Sequence, residues 1–353
     1  MRPFDLVVIG AGIVGAMTAC LARQQKPGWS ILLVDRSLVG DGATKYSVGL
    51  DIPYGFNAAQ KDYSRLSTEI FSDLSKTLPE MPVHELPFFG IVSDARVEAV
   101  RNGFTTETIR VATASERIQL HESYPDLVIA DDQALLTGCV ATYGFPSIAT
   151  ALIVNRLRQQ QHVECWEGVE IESVEPGADG FQLTTGDGRV VAARRVVAAT
   201  GPWLLDGPTR AYAAEAGVRI KKVAALHVDR RPSPRDPVLM FFDQDAFLLP
   251  VVQRKQWLFS FTSQEWDCPP EVSRLRVSNE DRQLALSVLA RYCPLLVSDC
   301  QGGRVFCDAY TPERVPLVAR VPGMTDFVVA GACSGSGYRL APAVALKALE
   351  HFA

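Results

Sequence analysis

The sequence predicts an α/β protein in two units, a layered unit on a parallel sheet and, inserted into it, an α+β unit built on an antiparallel sheet. Three observations predict it. Residues 4–35 read as strand, glycine turn, helix, strand and acid. Residues 56–144 lack any βαβ rhythm, and residues 327–352 return to strand, glycine turn and helix.

The opening unit carries its chemistry in its spacing. A buried-strand run at 6–9 feeds into Gly10-Ala11-Gly12-Ile13-Val14-Gly15, and a helix over 16–25 follows. A second apolar run at 30–34 ends on Asp35, twenty residues after Gly15. Strand, GxGxxG, helix, strand and acid together form a dinucleotide fingerprint of Rossmann type. Gly10 permits the sharp turn, Gly12 lets backbone approach a pyrophosphate, and Gly15 lets the helix lie close to the sheet. The helix N-terminus offers N–H groups and a positive dipole end to phosphate. Asp35 is placed to accept hydrogen bonds from a ribose. NAD and FAD use the same turn, so this stretch leaves the dinucleotide open, while an acid at 35 disfavours the extra phosphate of NADP.

With 353 residues, 47% hydrophobic and 21% charged, the chain has an ordinary globular composition and the length for two structural units. A net charge of −5 without any basic run argues against nucleic-acid binding. No apolar stretch approaches the ~20 residues of a membrane span. The first strand starts at residue 4, leaving no room for a signal peptide, so a cytoplasmic location is expected. The eight cysteines form no CxxC pair and no zinc-type cluster, so no metal site is expected and reduced, mostly buried thiols are.

Taken in order, residues 36–49 form a loop rich in small and hydroxylic residues that can fold back over the dinucleotide, with the Thr44 and Ser47 hydroxyls free to bond. Helical periodicity marks 61–78, 98–112 and 146–160, with a strand at 88–93 and loop at 120–134. Residues 163–174 read as a strand pair and 181–192 as a hairpin. The run 195–203 is an apolar strand ending in a small-residue turn, where a ligand can touch backbone. Between 220 and 263 strands with alternating aromatics predict an antiparallel sheet, followed by a helix at 279–292. The last strand, 327–332, leads through Cys333-Ser334-Gly335-Ser336-Gly337-Tyr338 into a helix at 341–352. The expected division is a discontinuous dinucleotide domain (1–55, 145–220, 302–353) and a substrate domain (56–144, 221–301).

These pieces together resemble the D-amino-acid oxidase superfamily of FAD enzymes, nearer its glycine oxidase and sarcosine oxidase branch. Four stretches carry the likeness: GAGIVG with Asp35, the loop GATKYSVG (42–49), VVAATGPW (196–203), and TPERVPLVARVPG (311–323) with GACSGSGYRLAPAVA (331–345). The resemblance implies FAD as the cofactor and a glutathione-reductase or p-hydroxybenzoate-hydroxylase-like architecture with the flavin at the domain boundary. It implies cofactor contacts at Gly10, Gly12, Ile13, Val14, Gly15, Asp35 and Arg36, and at Ala43, Thr44, Ser47, Val169, Thr200, Gly201 and Trp203. Further contacts are implied at Gly335, Ser336, Gly337, Tyr338, Arg339 and Leu340. It also implies oxidation of a C–N bond by hydride transfer to flavin N5, leaving an imine for water to hydrolyse. The flavin then carries the chemistry, and the protein supplies alignment and desolvation.

Substrate anchoring departs from the family pattern. Glycine-oxidase-like members hold the substrate carboxylate with an arginine three residues before the Thr-Pro pair, and here that position is Asp308. A carboxylate there would be repelled, so Asp308 points away, or meets a cationic nitrogen, or the loop is shifted in register. Arg339, in the Gly337-Tyr338-Arg339 triplet that matches the family's Gly-Phe-Lys, is an alternative anchor with a bidentate fork. Lys45 is a second candidate, and Tyr310, with Tyr54 and Tyr338, is expected to line the pocket. Cys307 lies one residue off the family's covalent flavin cysteine, so non-covalent FAD is expected, with a link through Cys307 as the alternative. The strand 257–261, which matches the one carrying an oxygen-activating lysine in sarcosine-oxidase-like members, holds no cation, and Lys255 only precedes it. The electron acceptor, O2 or another, stays open.

The expected function is therefore FAD-dependent oxidation of a small amine, amino acid or imino acid, in a tailoring role in specialised metabolism or otherwise. Two alternatives remain: a dehydrogenase of a 2-hydroxy acid or glycerol phosphate acting on C–O, for which no basic cluster is evident near the motifs, and a flavin-holding subunit of a larger complex.

Overall fold

A computed structural model describes residues 2–353. Its first sheet has six strands in the order Leu317–Val321, Met324–Gly331, Val196–Ala198, Leu6–Ile9, Ile31–Val34, Val163–Trp166. All neighbours are parallel except the Leu317–Val321/Met324–Gly331 hairpin. Leu6–Ile9 and Ile31–Val34 are buried at every residue, which is why they read as continuous apolar runs instead of alternating ones.

Helix Ile13–Gln25 presents a small face (Gly15, Ala16, Ala19, Ala22) that lets it pack against the sheet, helix Pro146–Arg158 and the closing helix Gly337–Glu350. The other face is covered by a three-stranded antiparallel meander, Ile171–Gly177, Gly180–Thr185 and Val190–Ala193, whose Phe181 and Leu183 meet Val7, Leu32 and Phe327. Each such apolar side chain, fully buried, contributes about 1.5–3 kcal/mol.

The second sheet has nine strands and is antiparallel apart from one parallel pair, Val238–Phe241 with Val83–Ser93. Its far face is covered by helix Asn279–Tyr292, which starts at a Ser278/Asp281 capping box. Its near face turns toward the first sheet and carries the candidate site.

Two expected boundaries are corrected. Helix Ala58–Thr77, assigned by sequence to the substrate unit, packs instead on the closing helix, and its Tyr63 and Leu74 join the core of the parallel-sheet unit. Strand Cys300–Tyr310, assigned mostly to the dinucleotide unit, is the edge strand of the nine-stranded sheet, paired with Arg219–Val228. The helix's apolar pattern was legible but its partner was not, and the strand was not read from the sequence at all. The expected loop at 120–134 also holds the end of helix Ala114–Ser123, started by a Thr113/Glu116 capping box.

Candidate active site

The fingerprint turn is defined by what it has no room for. Gly10 sits at φ +102°, and a Cβ there would lie 2.5 Å from the Ala199 carbonyl oxygen. A Cβ on Gly15 would lie 1.8 Å from the Gly10 carbonyl oxygen, so only glycine allows the helix to start so close to the strand. Thr44 folds back over the turn and its Oγ1 accepts the Ile13 N–H at 3.1 Å. The helix's own N-cap, Gly12, supplies no side chain and its first turn holds no acid, so beyond the Ile13 N–H its N-terminal donors are left for an anion. Asp35 Oδ2 accepts the Ala11 N–H at 2.6 Å and Oδ1 the Ser37 N–H at 2.8 Å, which ties the acid to the fingerprint turn. Burial, above all, raises its pKa.

These elements line a cleft of about 380 Å³. Gly10, Gly12, Ile13, Val14, Asp35 and Arg36 line it, together with Ala43, Thr44, Ser47 and Val169. Thr200, Gly201 and Trp203, with Gly335, Gly337 and Tyr338, complete the wall. The Thr200 hydroxyl and the Trp203 indole N–H are buried without a partner, so the cleft presents polar groups that a dinucleotide would satisfy. The Arg36 guanidinium stacks over the Trp203 ring at 4.5 Å. Of the other expected contacts, Gly15 acts through helix packing, Leu340 is fully buried in the core, and Ser336 and Arg339 line a neighbouring chamber.

That chamber, about 190 Å³, opens from the cleft where Tyr46, Ser47, Phe306, Gly335 and Tyr338 line both. The Tyr46 and Phe306 rings stack at 6.0 Å at this junction. The chamber rests on the near face of the nine-stranded sheet. Strand register puts Lys221 opposite Asp308, Val223 opposite Phe306 and Ala225 opposite Arg304, so all six residues share that face.

The same alternation corrects Cys307. With Phe306 and Asp308 facing the site, Cys307 must face away: it is 1% exposed, packs with Leu204, Val218 and Cys268, and its Sγ lies 3.7 Å from the Pro269 carbonyl. Burial pushes its thiol up to about 12. A thiol so placed reaches neither cavity, so the covalent link is excluded by geometry. Lys45 is corrected too. It lines neither cavity and pairs at the surface with Asp41 at 2.5 Å.

Asp308 lies in the cleft and holds the glycine turn. Its Oδ2 accepts the Gly335 N–H and its Oδ1 the Ala309 N–H, both at 2.9 Å, and burial raises its pKa to about 6. The turn needs holding, because Ala332 (φ +48°) and Ser334 (φ +53°) are left-handed without being glycine, a strain of about 1–3 kcal/mol each. Arg339 is buried and committed to the frame, donating to the Tyr54 carbonyl at 2.6 Å and to Gln60 Oε1 at 3.3 Å. Tyr310 lines the chamber, with the Trp266 ring edge-on at 5.4 Å.

The chamber's other charges were not singled out from the sequence. Lys221 is 5% exposed, with its ammonium over the Trp266 and Tyr310 rings at 5.0 and 5.3 Å. Burial lowers its pKa, with Asp245 acting to raise it and Arg314 to lower it. Arg314 pairs with Asp245 at 3.2 Å, and Arg304 lines the wall four residues before Asp308. Two consecutive lysines in the apolar strand 219–228 were the available signal, since lysine is depleted from strands. Among the described residues no group of three or more His, Cys, Asp or Glu is placed to hold a metal ion.

Comparison with known proteins agrees with this architecture. The family described as FAD dependent oxidoreductase (DAO) matches residues 5–350. Among solved structures, an L-proline dehydrogenase from P. horikoshii aligns with a TM-score of 0.80 at 19% identity, over 99% of this chain and 93% of that one. A glycine oxidase from Geobacillus kaustophilus gives 0.78 at 16% identity, over 99% and 94%. An FAD-bound L-alpha-glycerophosphate oxidase from Mycoplasma pneumoniae gives 0.81 at 14% identity, over 99% and 95%. At such identities the likeness is one of fold. Comparison with curated protein sequences finds no match. No helix among the described residues is long and apolar enough to cross a membrane.

Proposed function

The chain belongs to the FAD-dependent oxidoreductase family that its residues 5–350 match, and from that premise we propose that it oxidises the C–N bond of a small amino or imino acid in the chamber beside the dinucleotide cleft. The observation that carries this reading is the chamber itself: a 190 Å³ space at the end of the cofactor cleft, lined by Lys221, Arg304 and Arg314 against the single carboxylate of Asp245. Such a lining selects an anion. FAD, when bound in the cleft, supplies the hydride acceptor.

The protein's own residues then do three things. Lys221, with Arg314 beside it, holds the substrate carboxylate. Val223, Ala225, Phe247, Leu258 and Phe306 present an apolar wall that excludes water from the reacting carbon. The cations also disfavour a substrate ammonium by like-charge repulsion, so the amine is bound neutral, as loss of hydride from the adjacent carbon requires. Glycine oxidase and proline dehydrogenase, the activities named for two of the similar structures, support an amino-acid substrate. A cytoplasmic setting is supported by eight cysteines that are all free.

The test is an anaerobic panel of amino acids followed at the flavin absorbance band, with ammonia or amine assayed on turnover. Bleaching with release of amine is expected, and Lys221→Met should lower kcat/KM roughly 100-fold, as expected for truncating one partner of a buried charged contact. The same cations favour a second reading, oxidation of C–O in a hydroxy acid or phosphorylated alcohol. Bleaching by those compounds without amine release would establish it in place of the first.

A further inference from the structure

Two of the chamber's cations, Lys221 and Arg304, form no ion pair with a protein carboxylate among the described residues. Arg314 has Asp245, Arg339 is spent on the Tyr54 carbonyl and Gln60, and Lys222, although it touches the chamber, turns its ammonium to Asp281 on the far face at 2.8 Å. Among the described residues, Lys221 and Arg304 form no ion pair, and Arg304 makes no side-chain hydrogen bond. Burial, with Arg254 nearby, lowers the Arg304 guanidinium to about 10. Arg304 is half-buried in the chamber wall without a carboxylate partner, and the open volume beside it lets a ligand supply the missing charge.

The two cations stand apart in a fixed way. Lys221 is opposite Asp308 and Arg304 is opposite Ala225, so they mark positions four residues apart on one face of two paired strands, about 13 Å along the sheet. Between them lie only Val223 and Phe306.

We propose that the substrate carries two separate anionic groups, one met by Lys221 and one by Arg304, joined by an apolar stretch that crosses Val223 and Phe306. The chemical class is an amino acid with a second carboxylate, either on its side chain or on a substituent of its nitrogen. This rests on the chamber being the substrate site, as above, but not on which bond is oxidised.

The experiment measures binding without turnover. The FAD-loaded protein is titrated with propionate, succinate, glutarate, adipate and inorganic phosphate, and Kd is read from the perturbation of the flavin spectrum. At least one dicarboxylate is expected to bind ten-fold or more tightly than propionate. Arg304→Met should bring that ratio within two-fold, and Arg304→Lys should keep part of it. Equal affinity for propionate and every dicarboxylate overturns the proposal, as does a preference that Arg304→Met leaves intact. Phosphate binding more tightly than every dicarboxylate also overturns it, in favour of one dianion at one site. Should Arg304→Met not retain flavin, the wild-type length series and Arg304→Lys decide alone. A dicarboxylate preference with no amine oxidised would defeat the amine reading and leave this one standing, and the reverse result would do the opposite.

Discussion

The dinucleotide cleft and the substrate chamber share five residues at their junction but are built in different ways. The cleft is made of backbone. Its shape comes from Gly10 and Gly15, which hold strand and helix at a distance no side chain tolerates, and its polarity from a helix N-terminus and from Asp35. The chamber is made of single side chains from separate segments: Lys221 and Arg304 come from two paired strands, Asp245 from a turn and Arg314 from a loop, and they meet only in the folded chain. One site is steric and local, the other electrostatic and assembled through space. Substitutions should therefore act on the first through cofactor retention and on the second through substrate alone.

The largest expected effect on the cofactor follows from the cleft. Gly15→Ala puts a Cβ where the Gly10 carbonyl oxygen lies 1.8 Å away, so strand and helix must separate. Overpacking of this kind costs about 1–3 kcal/mol in a core, and here it falls on the phosphate turn. FAD affinity is expected to fall more than ten-fold, read from the flavin-to-protein absorbance ratio after dialysis. Lys221→Met should keep the wild-type ratio. A Gly15→Ala protein that stays fully loaded, or a Lys221→Met protein that loses its flavin, would break the distinction.

That difference also explains what was legible beforehand. The fingerprint, the loop at 42–49, the 196–203 strand and the closing turn are contiguous, and each encodes its own geometry, so most of the residues that line the cleft could be read in order. Arg339 and Cys307 were placed by alignment with a motif; Arg339 does line the chamber but its guanidinium is spent on the frame, and Cys307 reaches neither cavity. Arg339 is drawn to the Tyr54 carbonyl, and Cys307 is turned away by strand alternation. Alternation is visible in sequence, but which face is which depends on pairing with Arg219–Val228, whose sequence lies some eighty residues earlier. Which way Lys221 and Arg304 face could not be read for the same reason, although the paired lysines at 221 and 222 marked the strand as unusual. Helix Ala58–Thr77 shows the rule in the fold: its apolar stripe was readable, its partner Gly337–Glu350 was not.

An intermediate effect is expected at the junction, where Asp308 holds the strained turn. Its carboxyl titrates near 6 in the folded chain against 3.8 for an unperturbed aspartate, raised by burial. The unfolded chain therefore loses this proton first. The contribution favours folding below pH 4, fades as pH rises to about 6, and is constant above. Asp308→Asn has no such titration, so the stability difference should move toward the variant between pH 4 and 6.5 and then level, as chemical denaturation at a series of pH values would show. A difference flat across that range would mean that Asp308 titrates as an exposed acid.

The smallest effects should come from two residues that the sequence offered as site candidates and the structure places outside both cavities. Lys45 pairs with Asp41 in solvent, where an ion pair is screened and contributes little. Cys307 sits on the far face of its strand, packed with Val218 and Cys268. Lys45→Ala should leave flavin retention and kcat/KM within two-fold of wild type. Cys307→Ala should cost some stability, since it removes a buried sulfur, but not cofactor: acid precipitation should release all the yellow colour to the supernatant from wild type and variant alike. Colour retained in the wild-type pellet and lost from the Cys307→Ala pellet would place that sulfur at the flavin. It would also require the strand Cys300–Tyr310 to be turned over, carrying Asp308 and Arg304 out of the site together.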